Sequence, residues 1–215
     1  MGAVVERFVD DTAEPAVRGR LHRPATPAED ALVLLHGAGS NCDAPLLVEV
    51  VGAFADAGFT VLRCDLPFRQ ARRHGPPGAG DPARDREGLR RAVEAARQFA
   101  PGRVFLGGHS YGGRQATILA AEDPALIQGL LLLSYPLHPP RRPAELRTAH
   151  FARLRTPALF VHGTRDPFGS IEEMRAALAL IPAPVELVAI EGAGHDLGRS
   201  GAAQRAVEEF QKFVR

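Results

Sequence analysis

"VFLGGHSYGGRQATILAAE" runs from Val104 to Glu122. It begins as an apolar strand, ends as a small-residue helix, and turns between them on Gly-Gly-His-Ser-Tyr-Gly-Gly. Within it, Gly108-His109-Ser110-Tyr111-Gly112 fits G-x-S-x-G, the spacing of a nucleophile elbow. A sharp turn from strand into helix puts the serine in strained backbone, and a side chain at Gly108 or Gly112 would collide with the neighbouring strand or helix. The serine oxygen is thereby held above a sheet, at the positive end of a helix. Ala116 and Ala120 keep that helix slim enough to pack closely.

Outward from this turn, short apolar runs alternate with longer amphipathic ones. Strands are expected at 31–35, 59–64, 103–107, 129–134, 158–162 and 185–190, most of them apolar on both faces. Helices are expected at 44–57, 85–99, 111–121, 171–180 and 201–214, with Gly58 and Gly129 as stops. "AVRGRLHRP" near the start alternates and carries charge, which predicts an antiparallel edge strand. The Arg-, Pro- and Gly-rich stretch 69–87 predicts a long surface loop leading into the third helix. Repeated β-then-α order implies one α/β domain over 1–215, with a mostly parallel sheet and helices on both faces.

Ligands of such sheets bind beyond the carboxyl ends of the strands. There stand Ser110, Asp166 in "HGTRDPFG" and His195 in "EGAGHDLG", in that chain order. A serine hydroxyl needs a base, for which His195 is the candidate; Asp166 would orient the imidazole and stabilise its charged form. Asp196 adjoins His195 too closely in the chain to do so and is expected to be structural. The oxyanion that forms on an attacked carbonyl needs backbone N–H groups. Tyr111 supplies one by position, and the other is expected from "HGAGS", with Ala38 first and Gly39 second.

Together, "LVLLHGAGS", "GGHSYGG", "LFVHGTRDPFG" and "GAGHDL" resemble a serine hydrolase of the α/β-hydrolase superfamily, over nearly the whole chain. Within it the chain is similar to the small capless dienelactone-hydrolase-like group. Dienelactone hydrolases use a cysteine nucleophile, and this chain has Ser110 in its place, so their substrate is not carried over. "GRQA", "YPLHPP" and "GTRDPFGS" also resemble a subgroup that includes chromatin-complex scaffold relatives. The resemblance implies a single-domain α/β-hydrolase fold without a cap, since residues 135–156, where caps are inserted, are too few for a lid domain. It implies hydrolysis of small-molecule carboxylic esters with short or accessible acyl groups, without a cofactor. The alternative it leaves open is a weak or inactive member acting as an interaction module.

Other features are weighed against this reading. Leu66, Phe68, Tyr135, Leu137 and Phe168 are candidate apolar walls of a substrate pocket, or equally packing on top of the sheet. Gly37-Ala38-Gly39-Ser40-Asn41-Cys42 with Asp65 approximates a dinucleotide-binding fingerprint, but Cys42 stands where the third glycine belongs and the elbow is left unexplained. His36, His109 and His162 are expected to be structural, with His36 bonding the oxyanion-loop backbone; none has metal-ligand spacing, so no metal is predicted. For Arg69, Arg72 and Arg73 a solvated loop is expected rather than an anion site.

Composition sets the outer bounds. The chain has 215 residues, 45% hydrophobic and 24% charged, with a formal net charge of +1, so no global charge draws it to nucleic acid or an acidic membrane. Met1–Asp10 reads as neither a signal peptide nor a lipid anchor, and no apolar run reaches bilayer length. Cys42 and Cys64 form no metal spacing or disulfide framework. A cytoplasmic location is the expectation.

Overall fold

The computed structural model describes residues 2–26, 29–198 and 201–215; Met1, the first residue of the N-terminal stretch, lies outside them. The chain opens with β1 (Val4–Asp10), β2 (Val17–Arg23) and β3 (Ala31–Leu35), followed by α1 (Pro45–Asp56) and β4 (Thr60–Cys64). Next come α2 (Pro67–Ala71), α3 (Asp81–Ala96), β5 (Val104–His109), α4 (Tyr111–Glu122) and β6 (Leu130–Leu133). A 3-10 turn (Phe151–Arg153), β7 (Ala158–Gly163), α5 (Ile171–Leu178), β8 (Val185–Ile190) and α6 (Ala202–Phe213) complete it.

Among the described residues the strands form one eight-stranded sheet, ordered β1-β2-β4-β3-β5-β6-β7-β8. β2 pairs antiparallel with β1 and with β4, and the remaining pairs are parallel. Because the central strands are apolar at every position, alternate side chains feed two cores. Val33, Leu35, Leu106, Leu130, Leu132 and Phe160 face α3, α4 and α5. Leu32, Leu34, Phe105, Leu131, Leu133 and Val161 face α1 and α6, where Phe54, Phe59, Phe105 and Phe210 meet edge to face or tilted. After β3 the chain moves to one side for β4 and then crosses to the other for β5. That reversal opens a crevice at the carboxyl ends of β3 and β5.

The sequence-predicted α/β architecture without a cap holds. Between β6 and β7 only the 3-10 turn interrupts irregular chain. Three local expectations are corrected. β2 is not the edge, because β1 covers it; Val4, Val5 and Val9 of β1 are exposed, so no buried face marked that strand. α3 starts at Asp81 rather than 85, with Pro82 in its first turn, where a missing N–H costs nothing. Pro67 likewise starts α2, whose last three residues, 69–71, fall inside the stretch read as loop.

Candidate active site

At the elbow the strand end and helix start are packed against each other to backbone contact. A Cβ on Gly108 would lie 2.7 Å from the Gly113 nitrogen, and one on Gly112 would lie 2.6 Å from the His36 carbonyl oxygen. The outer pair is equally constrained: on Gly107 it would meet the Leu131 oxygen at 2.2 Å, and on Gly113 the Gly108 oxygen at 2.6 Å. Ser110 sits between them at φ 51°, ψ −115°, a strained conformation for a residue with a side chain. Its N–H donates to Leu133 and its carbonyl accepts from Arg114, so both ends of the turn are anchored.

The structure brings the three separated side chains together. Asp166 is buried, and its Oδ2 lies 2.8 Å from His195 Nδ1. A carboxylate only accepts, so Nδ1 carries the proton and Nε2 is left as an acceptor. That Nε2 is 2.8 Å from Ser110 Oγ, which donates to it. Asp166 Oδ1 accepts the Phe168 N–H at 2.9 Å, fixing the carboxylate plane. The Phe168 ring lies 4.2 Å from the His195 ring at 31°, nearly stacked on it. Asp166, and not Asp196, is the acid the imidazole meets.

Three histidines at strand ends, His36 and His162 buried and His109 half-buried, each brace one loop of the site. Burial lowers the pKa of all three, for His109 to about 4, so they are neutral at pH 7. His36 Nδ1 donates to the Gly37 carbonyl at 2.8 Å while its Nε2 accepts the Leu66 N–H at 3.1 Å. His109 Nε2 donates to the His195 carbonyl at 2.8 Å. His162 Nε2 donates to the Gly169 carbonyl at 2.8 Å, closing the Asp166 loop. The structural reading of these histidines is therefore right in kind, and His36 bonds the oxyanion-loop backbone as expected; that His109 and His162 brace the other two loops had no local signal.

The Gly37–Ser40 loop passes over the serine: a Cβ on Gly37 would be 3.4 Å from Ser110 Cβ. Its carbonyls are held on one side. Gly37 oxygen is taken by His36, and Ala38 oxygen by Arg69 at 2.9 Å. In a trans peptide the N–H points opposite the carbonyl, so each bond also aims the following amide. Ala38, Ser110 and Tyr111 line one cleft of about 380 Å³, whereas Gly39 does not reach it. Tyr111 opens α4, where a first-turn amide has no carbonyl one turn back.

Arg69 corrects the expectation of a solvated loop. It is buried and donates to the carbonyls of Ser40, Ala38, Gly75, Arg73 and Arg72. Arg72 pairs with Asp81, and Arg73 is exposed. Asp65 takes the Cys42 N–H at 2.7 Å, so the acid of the dinucleotide-like pattern is committed to closing this same loop.

Of the five candidate pocket walls only Phe168 lines the cleft. Leu66, Phe68, Tyr135 and Leu137 are core residues under it, since their side chains turn inward after leaving the strands. The walls are instead Pro76, Pro77, Pro82 and Pro136 with Arg114 and Arg147. Asp85 was also not foreseen. It is fully buried, accepts the Tyr111 hydroxyl at 2.6 Å and the Phe68 N–H at 3.0 Å, and so ties α3 to the elbow helix. Burial raises its pKa against those bonds. Its signal was an acid on the apolar stripe of Gly88, Leu89 and Ala92. Among the described residues no three His, Cys, Asp or Glu side chains are grouped to hold a metal ion, and no helix is long and apolar enough to cross a membrane.

A strained serine at a strand–helix turn, with an imidazole and a buried carboxylate in line, defines an α/β-hydrolase type of site on an α/β-hydrolase type of sheet. The family comparison agrees: residues 28–213 match the alpha/beta hydrolase domain, and the chain belongs to that family. Among solved structures it is similar to a dienelactone hydrolase from Anabaena variabilis ATCC 29413, at 24% identity and a TM-score of 0.78, with all of both chains covered. It is also similar to TT1662 from Thermus thermophilus, at 21% identity and a TM-score of 0.77, covering 100% of this chain and 99% of that one. Est1E from Butyrivibrio proteoclasticus follows the same fold at 18% identity and a TM-score of 0.76, over 100% of this chain and 99% of its own.

Proposed function

We propose that the chain is a serine hydrolase that cleaves carboxylic esters through an acyl-enzyme, with Ser110, His195 and Asp166 as its catalytic triad. The observation that carries this reading is the unbroken line of hydrogen bonds from Ser110 Oγ through His195 to Asp166, 2.8 Å at each step. Ser110 Oγ attacks the carbonyl carbon as its proton passes to His195 Nε2. The N–H groups of Ala38 and Tyr111 stabilise the oxyanion. His195 gives the proton to the departing alcohol, then takes one from the water that attacks the acyl carbon and frees Ser110. Asp166 keeps Nδ1 protonated and offsets the charge on the imidazolium. All steps are proton and acyl transfers among these groups and the substrate.

The esterase neighbours of the fold agree with an ester as the bond cleaved, and the uncapped cleft favours short or accessible acyl groups. Ser110→Ala is expected to lower kcat for p-nitrophenyl acetate by about 10⁴- to 10⁶-fold without lowering Tm, and to abolish labelling by a fluorophosphonate. Activity close to the parent value would remove Ser110 from the mechanism. A p-nitrophenyl ester series should peak at short chains; a maximum at long chains would overturn the open-cleft reading.

A further inference from the structure

The cleft beside Ser110 holds two arginines that the mechanism above does not use. Arg114 lies one helical turn after the serine, about 6 Å along α4, and Arg147 lies on the β6–β7 connection; both line the cleft. Arg114 is half-buried, its Nε is wholly enclosed, and among the described residues its guanidinium has no hydrogen-bond acceptor. Its neighbours on α3 are placed differently: Arg86 pairs with Glu122, and Arg90 with Asp123.

Arg147 is held firmly by its backbone. Its N–H donates to Leu137 at 2.8 Å, and its carbonyl accepts the Tyr135 hydroxyl at 2.7 Å. Its side chain makes one long bond, 3.3 Å to the Pro136 carbonyl. Desolvation, and then the like charge of Arg114, lower its pKa. His150, with its pKa lowered to about 4 by burial and then by Arg114 and Arg153, remains neutral. Two cations thus share a partly dry cleft with unspent donors. That arrangement is unfavourable without an anion and favourable with one.

We propose that Arg114 and Arg147 form a subsite for an anionic oxo group, carboxylate or phosphate, carried by the substrate a few bonds from the scissile carbonyl. This rests on the ester-hydrolase reading and names its substrate class: acidic esters, such as the half-esters of a short diacid. The guanidinium forks match a carboxylate or phosphate edge.

The test compares p-nitrophenyl hemiglutarate with p-nitrophenyl valerate. The ratio of their kcat/KM values is expected to be about 10 to 100 in favour of the charged ester at low salt. It should drop to one or below in Arg114→Gln and fall in Arg147→Gln. Arg114→Lys should restore it in part, since the charge returns without the fork. A second arm needs no turnover: calorimetry of the Ser110→Ala protein with glutarate and with inorganic phosphate. Saturable binding of either anion, lost on adding Arg114→Gln, supports the subsite, and the tighter anion tells carboxylate from phosphate. A ratio at or below one in the parent, no saturable binding of either anion, or binding unchanged by Arg114→Gln overturns it. Loss of all ester turnover with anion binding retained would count against the hydrolase reading and leave the subsite standing.

Discussion

Arg69 and Arg114 both lie next to the loops that carry the site, and they differ in what their donors meet. Arg69 is buried under the Gly37–Ser40 loop and gives its N–H groups to five carbonyls. Arg114 lies in the cleft and meets no acceptor among the described residues. The first arrangement is complete within the chain and makes the loop rigid. The second is complete only with a ligand. A framework that satisfies itself can preorganise amides for an oxyanion, because nothing has to be reordered when charge develops. A wall left unsatisfied stores binding free energy for whatever supplies the missing charge.

The comparison breaks most visibly in acid. His22, His109 and His150 have folded pKa values of about 4, set chiefly by burial, against an ordinary 6.5. Between those values the unfolded chain binds more protons, so stability rises with pH there. It is fully present above about pH 6.5 and drains away as the pH falls toward 4. Thermal melts from pH 8 to pH 4 should show a flat Tm above 6.5 and a steep fall below; a flat profile throughout would refute that the fold holds His22, His109 and His150 neutral.

The next largest effect is expected from Arg69→Met. Releasing the Ala38 and Ser40 carbonyls should lower kcat for neutral and acidic esters alike, by about 10- to 100-fold, with a lower Tm. Equal loss on both substrates separates this arginine from Arg114. Phe168→Ala removes the ring stacked on His195 and should cost about tenfold in kcat, measured with p-nitrophenyl acetate. The smallest change has the opposite sign. Arg147→Gln relieves a like-charge contact and should raise the Tm of the unliganded protein by about 2–4 °C, whereas a drop would mean that Arg147 is part of the self-satisfied framework.

Much of this site was legible because strand ends and glycines punctuate it. The elbow, the acid and the base each follow an apolar run directly, and the topology of a parallel sheet gathers such positions at one rim. Ala38 was separable from Gly39 only by seeing which residue lines the cleft. β1 could not be read because both its faces are largely exposed. Leu66, Phe68, Tyr135 and Leu137 follow strands in the same way as Ser110, Asp166 and His195, yet they fold under the cleft floor; chain position does not say which way a side chain turns. Asp85 stands among the many charges of α3, and only its contact with Tyr111 sets it apart from them.

By itself the sequence determined the sheet apart from its edge strand β1, the turn at Ser110 and the chain order of serine, aspartate and histidine, because backbone sterics and hydrophobic period act over neighbouring residues. Tertiary structure alone decided which histidine braces which loop, which arginine is spent and which is not, and what walls the cleft. Those outcomes depend on whether a polar group buried by the fold finds a partner from a distant segment, and no local pattern encodes that meeting.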